Sequence, residues 1–170
     1  MRTNLFGETF YEDADIAKLV IAAGSKKPFI KIVADLDRHS LMRDITLKFL
    51  DKNEDTVSLT GTPGFYAIFR DKECLYVGQT NVGIYNRVYR FIKELMGMSR
   101  YDESHSGGRK ARRMGITIKD NLQLKYLHNG ELAKVYEEYN INFWDTNTSQ
   151  LDEHIAYLMK AKCNTRIRSW

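Results

Sequence analysis

In two neighbouring segments near the middle of the chain, apolar side chains alternate with other side chain types in the manner of β-strands. Residues 64–70 and 73–78 are rich in aromatic and β-branched side chains, and the charged pair Asp71 and Lys72 separates them. This pattern predicts two antiparallel strands joined by a tight hairpin. Because successive side chains of a strand point to opposite faces, Tyr66 falls on one face, which we predict to be the more polar one.

After Gly83 the spacing of the apolar residues changes to three and four positions. Apolar side chains recur at Ile84, Val88, Phe91, Ile92 and Leu95. That spacing predicts an amphipathic helix over residues 84–96, whose apolar stripe packs on the sheet. On a helical wheel Arg87 lies at the border of the stripe, from which a long cationic side chain reaches over the sheet.

A second helix is predicted near the carboxyl end of the chain. Ser149 and Asp152 fit a capping box. The predicted buried face consists of Leu151, Ile155, Leu158 and Met159. Glu153 falls in the first turns, away from that face. A carboxylate at this position also has an ordinary explanation, since it stabilises the helix dipole.

Further elements are predicted on both sides of these segments. In chain order they are a helix over 14–23, a strand over 28–34, a helix over 41–50, a strand over 122–127, a turn at Asn129 and Gly130, a charged helix over 131–139 and a strand over 141–144. With 170 residues, of which 43% are hydrophobic, the chain can form one compact unit with an appended amino-terminal part.

The net charge is only +4, but the basic residues are unevenly distributed. Residues 105–119 and 154–170 contain no acidic residue. Their basic members are Arg109, Lys110, Arg112, Arg113, Lys119, Lys160, Lys162, Arg166 and Arg168. Each segment alone is explained by an ordinary solvated surface, whereas two together favour contacts with phosphate groups. We predict a turn over residues 106–109 that presents backbone amides and arginines to DNA.

Cysteine usage and hydropathy predict a cellular compartment. Cys74 and Cys163 stand in no metal-binding or redox spacing, which favours a reducing environment. The polar amino terminus shows no secretory signal, and no apolar run is long enough to cross a bilayer. We therefore predict a cytoplasmic protein that does not enter a membrane.

Five features of the sequence, taken in order, resemble the GIY-YIG nuclease superfamily. The first triplet is Gly64 to Tyr66, the second is Tyr76 to Gly78, and Arg87, Glu153 and Asn164 follow. Both triplets are substituted at their middle position. The resemblance covers residues 62–168, and the ordered combination is far more specific than either triplet alone.

The resemblance implies a mixed α+β fold. Its core would be a small three-stranded antiparallel or mixed sheet flanked by helices, with amino-terminal and inserted extensions. Residues 61–170 would form the nuclease domain, with a basic insertion around residues 100–140. Residues 1–60 would be an amino-terminal extension for dimerisation or DNA recognition.

The resemblance also implies an enzyme that hydrolyses a DNA phosphodiester by the in-line attack of water in a single step. Tyr66 would be the general base and Glu153 would hold Mg²⁺, with Mn²⁺ as a substitute. Arg87 would stabilise the phenolate of Tyr66 and bind the scissile phosphate, because a tyrosine otherwise titrates near ~10. One glutamate suffices, since Mg²⁺ takes one or two carboxylates together with phosphate oxygens and water.

The remaining family positions have supporting roles. Tyr76 would orient the phosphate or support Tyr66, and Asn164 would tie the terminal segment to the core. Gly64 and Gly78 would permit tight turns or close approach of the backbone. Taken alone, each tyrosine has an ordinary explanation as an amphipathic packing residue of a strand.

One position departs from the family pattern. Gln79 stands where many members carry a lysine, so another residue would have to supply that cation. Lys72 and His105 are the candidates, and His105 is equally well explained as a surface histidine. We predict DNA contacts from Lys72, Gln79, Arg109, Lys110, Arg112 and Arg113.

These features favour a small type II restriction endonuclease. It would act on double-stranded DNA as a homodimer, without a small-molecule cofactor, because a twofold dimer matches a palindromic site. Glu153 would serve its own Tyr66 or that of the partner subunit. Two alternatives remain open, namely a homing, mobile-element or repair nuclease of the same superfamily, and a non-catalytic DNA-binding scaffold.

Overall fold

Five antiparallel strands form the central sheet. The computed structural model describes residues 2–3, 9–36, 44–99, 104–141 and 150–167. The strands of this sheet are β3 (Ile30–Leu36), β4 (Ile45–Leu50), β5 (Gly64–Arg70), β6 (Glu73–Thr80) and β7 (Leu122–His128), in the spatial order β4-β3-β7-β5-β6. Two short strands, β1 (Arg2–Thr3) and β2 (Thr9–Phe10), pair separately.

The fold class α+β is confirmed, but the expected three-stranded sheet is wrong. The strands β7, β5 and β6 are joined by β3 and β4, which come from the first 60 residues and continue the same sheet. The helix expected over 41–50 is also wrong where it is described, because residues 45–50 form β4. Alternate side chains of β4 are buried, starting at Ile45, so the true period is two.

The hairpin between β5 and β6 is confirmed. Its two turn residues, Asp71 and Lys72, have φ angles of 49° and 65°, as a two-residue hairpin turn with the matching twist requires. In the resulting register Tyr66 stands opposite Gly78, and a bulge lies after Ile68. The hairpin therefore brings the two tyrosine-containing triplets side by side.

Helices cover both faces of the sheet in the described ranges. One face is covered by α2 (Ile84–Leu95) and α3 (Ser106–Arg113), and the other by α1 (Asp13–Ser25), α4 (Asn129–Glu138) and α5 (Leu151–Leu158). The strand β5 is consequently buried on both sides. The expectation of a more polar face at Tyr66 is wrong, because Tyr66 and Ile68 are 2% and 0% exposed beneath α2.

The predicted helix after Gly83 is confirmed, and the beginnings of two other helices differ from expectation. At α2, Gly83 is the N-cap and all five predicted apolar residues are buried. Residues 129 and 130 begin α4 instead of forming a turn, since His128 caps that helix. The N-cap of α5 is Gln150, not the expected capping box, whose Ser149 lies outside the described residues, as does the strand beyond Ile141.

Every helix in the described ranges is too short or too polar to cross a lipid bilayer.

The terminal segment is bonded to the exposed edge of β6. The side-chain oxygen of Asn164 accepts the backbone N–H of Val77 at 2.9 Å, and its Nδ2 donates to the carbonyl of the same residue at 2.9 Å. The backbone N–H of Cys163 donates to the carbonyl of Leu75 at 2.6 Å. Asn164 is buried and thus holds this segment to the strand that carries Tyr76.

We expect Asn164→Ala to lower the free energy of unfolding by about 2–4 kcal/mol. The substitution strands two buried backbone groups of Val77, each costing about 1–3 kcal/mol when unpaired. Urea denaturation measures the change. Asn121→Ala, at an exposed position, is the control and should change stability by less than about 0.5 kcal/mol. Equal effects of the two substitutions would contradict the structural role of Asn164.

Candidate active site

Tyr66 and Tyr76 form a pair on the α2 side of the sheet. They lie on β5 and β6 as diagonal neighbours, with ring centroids 6.1 Å apart. Tyr66 is the inner member at 2% exposure, whereas Tyr76 is only partly buried. The sheet register thus converts two separate sequence triplets into one pair of phenols.

The glycines of the two triplets make room for this arrangement. A Cβ atom at Gly78 would collide with the hydroxyl and ring of Tyr66, which lie directly over that glycine. Gly64 has a φ of 153°, and a Cβ there would collide with the carbonyl of Leu127 on β7. The predicted roles of both glycines in close approach therefore agree with the packing.

We expect Gly78→Ala to lower the free energy of unfolding by about 1–3 kcal/mol, because the added methyl group displaces Tyr66 in a filled core. Gly24→Ala in α1 is a matched control. Its Cβ would lie 3.9 Å from Cδ1 of Leu127, an ordinary van der Waals contact, so the substitution should stabilise the helix by up to about 1 kcal/mol. Urea denaturation compares the two variants. Equal shifts of the same sign would contradict the proposed contact.

The electrostatic surroundings keep both tyrosines protonated in the free chain. Burial raises the pKa of Tyr66 well above 10, and the neighbouring charges of Tyr76 and Asp152 act in the same direction. Burial likewise raises the pKa of Tyr76. Arg87, exposed on α2, lowers both values without overcoming burial. Arg87 is therefore placed where it was predicted, beside the phenol pair.

Asp152 is a site residue that the sequence interpretation missed. It lies in the first turn of α5, and its Oδ1 accepts a hydrogen bond from Nε2 of Gln79 at 3.2 Å. Burial raises its pKa, and its charge acts on both Tyr66 and Tyr76. The sequence pattern had assigned this carboxylate to a helix cap. A second acidic residue beside Glu153 was the only signal available.

Glu153 follows Asp152 directly, and the two carboxylates interact electrostatically. Within the described ranges, no three or more His, Cys, Asp or Glu side chains gather as a metal-binding group. Mg²⁺ does not require such a group, because it commonly takes one or two carboxylates plus phosphate oxygens and keeps several waters. The oxygen donors of Asp152 and Glu153 fit that requirement.

His105 is buried, not a surface histidine. It is the N-cap of α3, where its Nδ1 accepts the backbone N–H of Gly108 at 3.2 Å. Its ring centroid lies 4.8 Å from that of Tyr76 and 5.4 Å from that of Phe91. Burial, assisted by Arg87, lowers the pKa of His105 to about 4. The imidazole is therefore neutral near pH 7 and does not replace the charge of the missing lysine.

The expected turn over 106–109 is wrong, because these residues begin α3. The two glycines serve packing: a Cβ at Gly107 would lie 2.5 Å from the ring of Tyr76, and one at Gly108 would lie 2.6 Å from the carbonyl of Phe91. In a helix without side chains at these two positions, the backbone comes close enough to touch both the sheet and α2. This contact places His105 against Tyr76.

The predicted basic residues separate into three groups. Arg109 is paired with the buried carboxylate of Glu94, with Nε 3.2 Å from Oε1, and so docks α3 on α2. The side chains of Lys110, Arg112 and Arg113 are exposed on α3. Lys72 lies in the hairpin turn, four residues and thus about 13 Å along β6 from Tyr76. Lys72 therefore does not share the site.

The structure brings together most of the predicted site. The members that meet around the phenol pair are Tyr66, Tyr76, Gly78, Gln79, Arg87 and His105, and Asp152 joins them from α5. Glu153 follows Asp152 and interacts with it electrostatically. Comparison of the chain with protein-family models, with curated proteins and with solved structures found no match. Function is therefore inferred from the geometry of this site.

Proposed function

We propose that the chain is a metal-dependent DNA endonuclease of the type II restriction class, with the GIY-YIG architecture. One observation carries the proposal: a phenol pair, an arginine and a carboxylate from four separate elements come together, and a second carboxylate follows directly on the same helix. A tyrosine pair is common in cores, but a half-buried carboxylate beside it, with a raised pKa, is typical of functional sites. The set offers a candidate general base, a cation for the phosphate and carboxylates for a metal ion, which together suit hydrolysis of a phosphodiester.

The exposed cationic side chains of α2 and α3 are suited to binding a polyanionic substrate. Arg87 on α2 and the exposed residues Lys110, Arg112 and Arg113 on α3 stand on the same side of the sheet as the phenol pair. Arginine and lysine side chains supply the sequence-independent affinity of proteins for the DNA backbone. Double-stranded DNA is therefore the proposed substrate, with Arg87 nearest to the scissile phosphate.

Asp152 and Glu153 would hold the metal ion. When bound there, Mg²⁺ supplies a Lewis acid that stabilises charge on the phosphate and on the departing oxygen. Gln79 orients Asp152 through the hydrogen bond at 3.2 Å, so this residue has a positioning role in place of the lysine charge. Asp152 interacts with Tyr66 of its own chain, which supports action of Glu153 within one subunit.

Tyr66 would accept a proton from the attacking water. In the free chain it is a phenol, since its pKa lies well above 10. Its conversion to phenolate requires added positive charge near the ring, which Arg87 supplies in part. The neighbouring, partly exposed Tyr76 would provide the route by which the proton leaves a residue that is closed to solvent. His105 remains a neutral donor throughout.

A homodimer completes the proposal. Two identical active centres related by a twofold axis would cut both strands of a palindromic duplex. One centre alone would produce a nick. The assembly would place the basic surface of α3 from both subunits on the same duplex.

Cleavage of long unmethylated DNA with and without Mg²⁺ tests the proposed function. We expect discrete, metal-dependent fragments from the wild-type chain and from Lys72→Ala, whose side chain lies away from the site. Fragments that appear only from branched DNA would indicate a structure-directed nuclease instead. Absence of cleavage of any duplex or branched DNA, despite binding, would overturn the catalytic proposal.

The depth of Tyr66 favours one competing function, a non-catalytic DNA-binding scaffold. A phenol at 2% exposure with a strongly raised pKa is well suited to a structural role, and Gln79 does not activate it with a charge. The position of the half-buried Asp152 beside the tyrosines favours the enzyme, because a carboxylate with a raised pKa next to a phenol pair suits a catalytic site. The cleavage assay decides between the two functions.

A further inference from the structure

Arg90 is an exposed arginine of α2 that the proposed chemistry does not use. It follows Arg87 by three residues, so the two side chains emerge on neighbouring positions of one helix surface. Phe91, the next residue, is buried with its ring 5.4 Å from His105. Arg90 thus directly precedes, on α2, the residue whose ring packs against His105.

The neutral His105 is a hydrogen-bond donor. Its Nδ1 already accepts the backbone N–H of Gly108 at 3.2 Å, so the single ring proton of the neutral imidazole resides on Nε2. The ring is held on two sides by Tyr76 and Phe91, which fixes its orientation. A fixed N–H donor beside arginines is a suitable partner for an anionic oxygen.

The charges around this histidine are predominantly positive. Burial is the main reason for its pKa of about 4, and the positive charges of Arg87 and Arg90 lower the value further. Glu94 is the nearby acid and acts in the opposite direction, but Arg109 is paired with it at 3.2 Å. Two arginine charges therefore remain for a bound anion.

We propose that Arg90 and the Nε2–H of His105 bind the phosphodiester next to the one that is cleaved, while Arg87 binds the scissile phosphate. This inference rests on the proposed function. Residues three apart are neighbours on one surface of a helix, so the long side chains of Arg87 and Arg90 are suited to two successive phosphates of one strand.

Binding without metal tests this subsite through a matched pair of variants. We expect Arg90→Gln to weaken binding of a short duplex about tenfold and to reduce the salt dependence by about one phosphate contact, as measured by fluorescence anisotropy. Lys134→Gln is the control for loss of charge alone, because this exposed lysine lies on α4, on the opposite face of the sheet. A tenfold loss restricted to Arg90→Gln supports the subsite, and equal losses in the two variants overturn it.

Neutral methylphosphonate linkages locate the contact. A single such linkage beside the scissile position should weaken cleavage by the wild-type chain about tenfold, whereas Arg90→Gln should lose little more. This non-additivity is expected only if Arg90 contacts the replaced phosphate. If the two losses multiply, Arg90 does not bind that phosphate and the proposal is wrong.

A third measurement separates failure of the subsite from failure of the proposed function. Inorganic phosphate is titrated into the metal-free protein while the imidazole signals of His105 are followed by nuclear magnetic resonance. A shift that disappears in Arg90→Gln supports the anion site whether or not the chain cuts DNA. Unchanged His105 signals at saturating phosphate overturn the site even if cleavage is observed.

Discussion

Glu153→Gln should lower the rate of Mg²⁺-dependent cleavage by at least about a thousandfold, which corresponds to about 4 kcal/mol of transition-state stabilisation. The substitution keeps the shape of the side chain and removes the charge that would hold the metal. Asp152→Asn should cost less, about 10–100-fold, if this residue orients the site and shares the metal. Single-turnover cleavage at saturating DNA measures both losses.

Calorimetric titration of Mg²⁺ into each variant supplies a readout that does not depend on turnover. Metal affinity should fall in Glu153→Gln and, to a smaller extent, in Asp152→Asn. Glu137→Gln is the control, because this exposed glutamate lies on α4, away from the site. If Asp152→Asn lost more activity than Glu153→Gln, the assignment of the principal ligand would pass to Asp152.

Tyr66→Phe should lower the cleavage rate about 10²–10⁴-fold, the range that a positioned general base contributes. Phenylalanine keeps the ring that packs over Gly78, so the fold should remain intact. Tyr76→Phe, which removes the partner hydroxyl and keeps its ring, should cost less if Tyr76 only supports Tyr66. Urea denaturation of both variants controls for loss of structure.

The pH dependence of kcat/KM tests the same role. This parameter reports the free enzyme, where the pKa of Tyr66 lies well above 10. Below that pKa the phenolate fraction grows tenfold for each unit of pH, so the rate should rise with a logarithmic slope of about +1 between pH 7 and 9. The slope should disappear in Tyr66→Phe. A flat wild-type profile would show that Tyr66 is not the base.

Local sequence patterns predicted much of the fold. The hairpin of β5 and β6, the helix α2 and the strand β7 follow from the alternation, the helical period and turn residues that lie within each segment. The prediction failed at β4 and at the beginning of α3. In β4 the apolar spacing suited a helix as well as a strand, and only pairing with β3 selects the strand. In α3 the two glycines are used for close packing, not for a turn.

The candidate site was likewise predictable from local sequence patterns only in part. The order of the two triplets and Arg87 predicted the phenol pair and its cation, since a hairpin and the helix after it place these residues together by short connections. Asp152 was not predictable in this way. Its contact with Gln79 joins residues that are 73 positions apart, and no local pattern reports such a distance. The neutral state of His105 likewise depends on burial by Tyr76 and Phe91.

By itself, the sequence determined that this protein contains both strands and helices. It also determined a hairpin that carries Tyr66 and Tyr76, a following helix that carries Arg87, and two basic segments without acidic residues. These properties depend on side-chain chemistry and on contacts between near neighbours. Only the tertiary structure decided that the sheet has five strands, that Tyr66 is closed to solvent, and that Arg109 pairs with Glu94. Those outcomes depend on which elements, far apart in the sequence, pack together and exclude water from the surfaces between them.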